Sequence, residues 1–241
     1  MLEQVAVLLA GFLTAITGFG FNALSLPLLV LAFEPHHAVV VGLLIGLLIF
    51  GLVLLLPGVR QSIDKPMVLT LFAWSLPGLP LGALLLVWLD ARALQLLVGG
   101  LTFAYATGQL LGRLPAIPAT RRAAPFVGVL SGVLASSVSL GGTPVMPYLL
   151  GSDKATPSSL RATAVGYVLL STVASLVVPY WTGLVDRSAA LLDAARLVPA
   201  APVGFSLGAL TFRFIGPVLF VRMTLIVLAT VGLIALTAAI R

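Results

Sequence analysis

Two glycine-rich breaks inside long apolar stretches are the parts of this sequence best suited to bind a ligand. The first break runs from Gly18 to Asn22, and the second is Leu140-Gly141-Gly142-Thr143. If a helix resumes after each break, its first N–H groups have no partner within the helix and lie at the positive end of the helix dipole. Helix starts of this kind bind anions. We therefore expect a substrate site built from Gly18, Gly20, Phe21, Asn22, Ser25, Ser137, Gly141, Gly142, Thr143 and Arg161.

The breaks also have a purely structural interpretation, because Gly and Ser are ordinary contact residues between membrane helices. A matched pair of breaks in the two halves of a chain favours the binding site. Arg161 follows the second break, and His37 holds the equivalent place in the first half. These two side chains either face the substrate or a gate, or reach to the membrane interface from a helix end.

Enzymatic chemistry is not expected from this sequence. The chain has no cysteine, so thiolate nucleophiles, thiolate metal ligands and disulfides are excluded. The adjacent histidines His36 and His37 do not form a zinc motif, and neither a phosphate-binding loop nor a serine nucleophile elbow is present. We expect no metal and no other cofactor.

The composition predicts an all-α polytopic membrane protein whose main partner is the lipid bilayer. Hydrophobic residues make up 60% of the 241 residues and charged residues only 8%, whereas a soluble domain carries about 25% charged residues. The net charge of +6 comes from side chains that lie mostly between apolar runs. That distribution is typical of the positive-inside bias of membrane proteins, so we expect no nucleic acid partner. The aromatic residues Tyr148, Tyr167, Tyr180 and Trp181 fit an interfacial belt.

Eight hydrophobic segments are predicted, four in each half. Their approximate bounds are 2–33, 37–56, 68–89, 93–111, 126–151, 160–178, 189–212 and 223–240. The basic, proline-containing stretch around Arg113 and Arg121 is the one that resembles a linker. We expect a first transmembrane repeat over residues 1–112, a cytoplasmic linker over 113–123 and a second repeat over 124–241.

The repeat rests on landmarks that recur in one order. Pro147 follows Pro27 by 120 residues, and the phrase Pro-x-x-Pro-x-Gly begins at Pro77 and again at Pro199, 122 residues later. Paired interrupted segments in two halves of a membrane protein indicate a transport site at the repeat interface. Proline motifs of this kind kink membrane helices, and the kinked helices can serve as hinges or line a cavity.

The broken segments allow two topologies, and basic residues favour one. If both segments cross the membrane, the two sides carry seven and five loop Lys and Arg residues; if both re-enter, the sides carry nine and three. The sharper asymmetry predicts re-entrant hairpins, with the linker cytoplasmic and both termini outside. Each half then crosses three times, an odd number, so the repeats are inverted in the membrane.

The motifs at the two breaks are similar to those of a known family. The first break resembles the first-repeat signature of the TauE/SafE sulfite exporter family, in the stretch Gly18-Phe-Gly20-Phe-Asn-Ala-Leu-Ser-Leu-Pro27-Leu-Leu. The second break resembles the second-repeat signature of that family, in the stretch from Ser131-Gly132 through Leu140-Gly141-Gly142-Thr143-Pro144 to Tyr148. Leu160-Arg161-Ala162-Thr163 resembles the motif that follows it. The resemblance implies a secondary transporter of small anions, often sulfite, sulfonates or related organosulfur compounds, in the bacterial cytoplasmic membrane.

The residues themselves leave other functions open. A passive anion channel could use the same repeats and the same breaks. A membrane scaffold subunit is the other alternative, with packed breaks and no cavity. A homo-oligomer is compatible with each of these functions.

Overall fold

The computed structural model describes residues 2–17, 20–113, 116–152, 156–211 and 217–240, and the regular elements in this part of the chain are all helical. They are α1 (Leu2–Thr17), α2 (Phe21–Leu29), α3 (Pro35–Leu55), α4 (Lys65–Ser75), α5 (Gly78–Trp88), α6 (Ala91–Leu110), α7 (Ala123–Val138), α8 (Gly142–Leu150), α9 (Pro157–Ser175), α10 (Val177–Thr182), α11 (Arg187–Leu197), α12 (Ala200–Thr211) and α13 (Pro217–Ile240), with a short 3₁₀ turn at Arg60–Ser62.

The order of helices in the first half recurs in the second. Helices α1 and α7 each have 16 residues, α2 and α8 each have nine, and α4 and α11 each have 11. The later helix of each pair begins 121 or 122 residues after the earlier one. Both predicted broken segments and both proline-containing segments are each divided into two helices, at the positions where the sequence places Gly or Pro.

Several helices begin before the apolar run that predicted them, because a polar side chain caps their first turn. Asp64 accepts a hydrogen bond from the Met67 N–H at 3.0 Å, and Asp90 accepts one from the Ala93 N–H at 2.8 Å. Thr156 and Asp186 cap α9 and α11 in the same way. These residues satisfy N–H groups that have no partner within the helix, so each helix begins at the cap and not at the first apolar residue.

The two halves interlock and are not two separate bundles. Helix α1 packs along α12 of the other half, and α7 packs along α4 and α5. Helix α6 packs on α13, and α3 packs on α9. Every one of these contacts joins a helix of the first half to a helix of the second, so the core is built by both halves together.

The protein is an integral membrane protein. Among the described residues, Pro35–Leu55, Arg187–Thr211 and Arg222–Ile240 are long and apolar enough to cross a bilayer. Helices α4 and α5, which meet at 51°, form a fourth candidate span when taken together. Large apolar side chains such as Trp88 and Phe126 are exposed on the surface, as expected where lipid is the solvent.

Close helix contacts depend on glycine at the α5–α7 interface. A Cβ added at Gly132 would overlap the carbonyl oxygen of Ser75 and lie 3.1 Å from the Leu79 nitrogen. Both of these are backbone atoms, which cannot turn aside as a side chain can. Small residues of this kind let membrane helices approach until their backbones touch.

We expect Gly132→Val to lower the free energy of unfolding by about 1–3 kcal/mol, the usual cost of overpacking a close contact. Thermal unfolding of the purified protein in detergent measures this. Gly51→Val is the matched control, since a Cβ at Gly51 of α3 meets no other atom within 4 Å. Equal stability of the two variants would show that α5 and α7 do not need this close approach.

Candidate functional site

Among the described residues, each break contains one with left-handed backbone, and of these two residues only that of the first break is glycine. Gly20 has φ = 94° and precedes α2. In the second break the left-handed residue is Ser139, with φ = 57°, whereas Gly141 is right-handed with φ = −58°. The two breaks therefore differ in local geometry, although both turn the chain between a 16-residue helix and a nine-residue helix.

Gly141 is required for close packing and not for its backbone freedom. A Cβ at this position would lie 2.6 Å from the Ala135 Cβ. The Ser131 hydroxyl donates to the Gly141 carbonyl. Ser131 and Ala135 lie on α7, about two turns and one turn before its end, so the chain has already reversed at Gly141.

The second broken segment is a hairpin whose two ends lie together. The Tyr148 hydroxyl, near the end of α8, donates to the Thr120 carbonyl at 3.2 Å, just before α7 begins. The Ile117 N–H donates to the Pro147 carbonyl at 2.9 Å. Tyr148 is thus buried in this junction and is not part of an interfacial aromatic belt, so that part of the sequence prediction is wrong.

A buried tyrosine supports the turn of this hairpin. The Tyr167 hydroxyl of α9 donates to the Ser131 Oγ at 2.6 Å, and the Ser131 hydroxyl donates onward to Gly141. Tyr167 is 0% exposed, so its prediction as a belt residue is also wrong. A phenol needs a hydrogen-bond partner when it is buried, and Ser131 satisfies this one.

The two breaks touch each other through their side chains. The Asn22 Nδ2 donates to the Ser139 Oγ at 2.7 Å, across 117 residues of sequence, and both side chains are buried. Gly46 of α3 makes room for this amide, because a Cβ there would lie 3.1 Å from both its nitrogen and its oxygen. One hydrogen bond thus joins the start of α2 to the end of α7.

A cavity of about 360 Å³ lies at this junction. Both breaks line it through Gly20, Asn22, Ser139, Gly142 and Thr143, and apolar side chains form most of the remaining wall. The polar side chains that line it are Asn22, Tyr105, Gln109, Ser139, Thr143 and Thr224. The cavity therefore holds a few polar groups in an otherwise apolar space, which is the usual character of a small-molecule site.

The starts of α2 and α8 supply donors to this cavity. Neither helix has a side-chain cap among the described residues, unlike α3, α4, α6, α9 and α11. Gly20 and Gly142, at these two starts, both line the cavity. At the start of α8 the Thr143 N–H donates to the Leu140 carbonyl at 3.1 Å and Pro144 has no N–H, so α2 supplies most of the free N–H groups. The positive dipole ends of both helices lie at one space, which favours a negatively charged ligand.

Two buried polar atoms in the cavity wall have no hydrogen-bond partner within the described part of the chain. They are Asn22 Oδ1 and Thr224 Oγ1. The Ser139 hydroxyl can donate as well as accept, so a half-turn of the Asn22 amide lets Ser139 donate to Oδ1 and directs the amide N–H groups into the cavity. Unsatisfied buried groups cost about 1–3 kcal/mol each, which a bound ligand with several oxygens would recover.

Charge is absent from the described cavity wall. It contains no Asp, Glu, Lys, Arg or His. No group of three or more His, Cys, Asp or Glu residues among the described residues is arranged to hold a metal ion. Any ligand of this site is thus held by neutral donors and helix dipoles.

The residues expected to form the site fall into three groups. Gly20, Asn22, Gly142 and Thr143 line the cavity. Phe21, Ser25, Ser137, Gly141 and Arg161 are not among the described lining residues. Gly18 lies outside the described residues.

Local geometry explains the second group. The Ser137 hydroxyl donates to the Val133 carbonyl at 2.7 Å, one turn back on α7. Ser25 is fully buried, one turn beyond Asn22 on α2. Arg161, on α9, has a buried Nε without a partner in the described structure. His37 is bonded to Asp193 of α11 at 3.0 Å, away from the cavity lining, and Arg196 lies 3.6 Å from the same carboxylate.

Ser139, Tyr105, Gln109 and Thr224 line the cavity but were missed from the sequence. Tyr105 and Gln109 are four residues apart, on one face of α6, and this polar spacing in an apolar helix was the available signal. Thr224 of α13 has no polar residue three or four positions away and gave no comparable signal.

A family model described as sulfite exporter TauE/SafE matches residues 4–235, nearly the whole chain. Among the curated proteins and among the solved structures there is no significant match.

We expect Asn22 and Ser139 to stabilise the protein as a pair. A double-mutant cycle with Asn22→Ala and Ser139→Ala should give a coupling free energy of about 0.5–1.5 kcal/mol, as for one buried hydrogen bond. Denaturant unfolding in detergent measures each free energy. Strictly additive effects of the two substitutions would mean that the breaks are not joined through this bond.

Proposed function

We propose that this protein, which belongs to the sulfite exporter TauE/SafE family, is a secondary transporter that binds one small anion between its two hairpin breaks. The family is one of membrane transporters and not of enzymes. The observation that carries the proposal is the 360 Å³ cavity lined by both helix starts. The described wall of this cavity comes from one chain, and a homo-oligomer is compatible with the proposal.

The chemistry of the cavity favours an oxyanion, and we infer sulfite, a sulfonate or a related organosulfur compound. An oxyanion accepts several hydrogen bonds, and the donors proposed for it are the first N–H groups of α2, the Gly142 N–H, the Asn22 amide and the Thr143 hydroxyl, which would turn from the Leu140 carbonyl. A cation site needs carboxylates or a ring of carbonyls, and the described wall has no carboxylate. Neutral donors hold the anion without a full opposing charge, so the anion can also leave.

Two inverted repeats would present these breaks from opposite sides of the membrane. The hairpin of α7 and α8 supports re-entry, because the contact between Tyr148 and Thr120 leaves both of its ends on one side. The Asp64 N–H donates to the Thr163 Oγ1 at 3.0 Å, which joins the end of the α3–α4 loop to α9. These contacts agree with three crossings in each of residues 1–112 and 124–241, joined by the linker 113–123.

Transport by proteoliposomes tests the proposed function. We expect saturable uptake of labelled sulfite or thiosulfate, stimulated by the same anion inside the vesicle. Large unitary currents would identify a passive channel. Transport of a cation or a neutral solute, with none of sulfite, thiosulfate, taurine or sulfoacetate, would contradict the proposal, and absence of any flux would favour a scaffold subunit.

We expect Thr143→Val to raise the apparent KM for the transported anion by about tenfold, because on this proposal the hydroxyl turns from the Leu140 carbonyl to the anion, and one hydrogen bond to a charged ligand contributes roughly 1.5–3 kcal/mol. Thr14→Val is the matched control. Each hydroxyl donates to a carbonyl of the preceding turn at 2.7 Å, but only Thr143 is described as lining the cavity. Equal KM values for the two variants would exclude Thr143 from the site.

The proposed topology places both termini outside the cytoplasm. The chain contains no cysteine, so a single cysteine added at either terminus or at Arg121 is the sole reactive thiol. We expect an impermeant maleimide added to intact cells to label the terminal cysteines and to spare the linker cysteine. Labelling of the linker alone would show that the orientation is the opposite, and labelling of one terminus only would exclude two re-entrant hairpins.

A further inference from the structure

Two equivalent arms of the protein have different shapes. The first arm is α4–α5 and the second is α11–α12, and the same Pro-x-x-Pro-x-Gly phrase begins at Pro77 in one and at Pro199 in the other. The first arm is bent by 51°, whereas the second runs on as one span of 25 residues, Arg187–Thr211. Since both arms contain the same Pro-x-x-Pro-x-Gly motif, this motif is compatible with a bent arm and with a continuous one.

The arms also differ in register, that is, in which of their residues contact equivalent positions of the partner helices α7 and α1. Gly132 of α7 packs on Ser75 and Leu79 of the first arm. Its counterpart, Gly11 of α1, packs on Ala201 and Phe205 of the second arm. Ala201 is the counterpart of Leu79, so the contact in the second pair is displaced by four residues.

A second set of contacts gives the same displacement. Gly82 of the first arm packs on Val133 and Ser136 of α7. Gly204, the counterpart of Gly82, packs on Leu8 of α1, although the counterpart of Val133 is Phe12. The two interfaces therefore differ by one helical turn, a translation of about 6 Å at 1.5 Å per residue.

Side chains on the arms explain which of them can change register. Helix α12 has small residues at three positions spaced by four, Ala200, Gly204 and Gly208. The counterpart of Gly208 on α5 is Leu86, which is fully buried. Helix α12 thus has a small residue to place against α1 in either register, whereas Leu86 blocks the second register for α5.

A hydrogen bond also holds the first arm in place. The Ser136 hydroxyl of α7 donates to the Leu79 carbonyl at 2.7 Å. The counterpart of Ser136 on α1 is Ala15, which has no hydroxyl group. The first arm is tied to its partner by this bond, and the second arm cannot form the equivalent one.

We propose that the α11–α12 arm is the moving element of the transport cycle. It slides by one helical turn along α1 and bends at Pro199 and Pro202 into the shape of α4–α5, while α4–α5 stays fixed on α7. The arm has no residue in the described cavity wall, and it acts on the cavity through α1, which carries Leu13 in that wall and leads to Gly20. This inference rests on the proposed transport function, but the slide itself can be measured without any transported solute.

Paired cysteines in the cysteine-free chain test the slide. In the present register, a Cβ at Gly208 lies 3.0 Å from the Ala15 Cβ, within the reach of a disulfide. In the other register Ala15 meets Gly204, as Ser136 meets Gly82 in the first arm. We test two double variants, which combine Ala15→Cys with either Gly208→Cys or Gly204→Cys. We expect both variants to form a disulfide in proteoliposomes under mild oxidation.

The fixed arm provides the matched controls. Ser136→Cys with Gly82→Cys should cross-link, and Ser136→Cys with Leu86→Cys should not. A Cβ at any of the three glycines overlaps a carbonyl oxygen of the partner helix, that of Val133 for Gly82, of Leu8 for Gly204 and of Phe12 for Gly208, so the three pairs have a similar packing cost and can be compared. Failure of the Ala15–Gly204 pair to cross-link would overturn the proposal. Equal cross-linking of Ser136 with positions 82 and 86 would overturn the fixed role of the first arm.

A single substitution should trap the slide. Gly208→Leu gives α12 the residue that blocks α5, so we expect several-fold more cross-linking of the Ala15–Gly204 pair and loss of sulfite transport. Gly51→Leu, on an open face of α3, should change neither. Unchanged cross-linking in a folded Gly208→Leu protein would overturn the proposal. The cross-linking result stands without any known substrate. If Gly208→Leu raises the cross-linking yield but the unsubstituted protein transports no anion, only the proposed function is contradicted.

Discussion

The hydrogen bond between Asn22 and Ser139 is the contact on which the centre of this protein depends. Each break exposes backbone groups in the middle of an apolar protein, and such groups are stable only where protein or a water-filled cavity satisfies them. A bond of 2.7 Å brings the two breaks against each other, so each shields the other from lipid. The cavity beside this bond exists because two helices begin where two others end.

The interlocked helices keep the breaks in register. Helix α1 lies on the arm of the second half, and α7 lies on the arm of the first, so neither broken segment is anchored by its own half alone. Backbone contacts at Gly132 and Gly204 make these interfaces close and sensitive to position. A movement of either arm is therefore transmitted to the helix that ends at a break, and through it to the cavity.

The positions of the helices are predictable from the sequence, whereas the residues of the site are predictable only in part. Long apolar runs and the Gly and Pro residues that divide them depend on local chemistry, so the helices and their interruptions were predictable. Helix starts were less accurate, because caps such as Asp64 and Asp90 lie before the apolar residues. In the site, Gly20 and Thr143 follow from the breaks themselves. Ser137 was predicted as a site residue, but Ser139 lines the cavity instead. Ser139 has a left-handed backbone conformation, which the local sequence does not predict for a serine.

The difference between the two arms shows that the local Pro-x-x-Pro-x-Gly motif does not by itself determine how far an arm bends. The same prolines and glycine occur in both arms, yet one arm is bent by 51° and the other forms a 25-residue span. What differs lies across the interface: Leu86 opposite α7 is replaced by Gly208 opposite α1, and Ser136 is replaced by Ala15. Bulk and one hydroxyl group fix the first arm, and their absence leaves the second arm two registers that differ by one turn. A repeated sequence can thus encode a fixed half and a movable half, which a carrier needs if a single site is to face both sides of the membrane in turn.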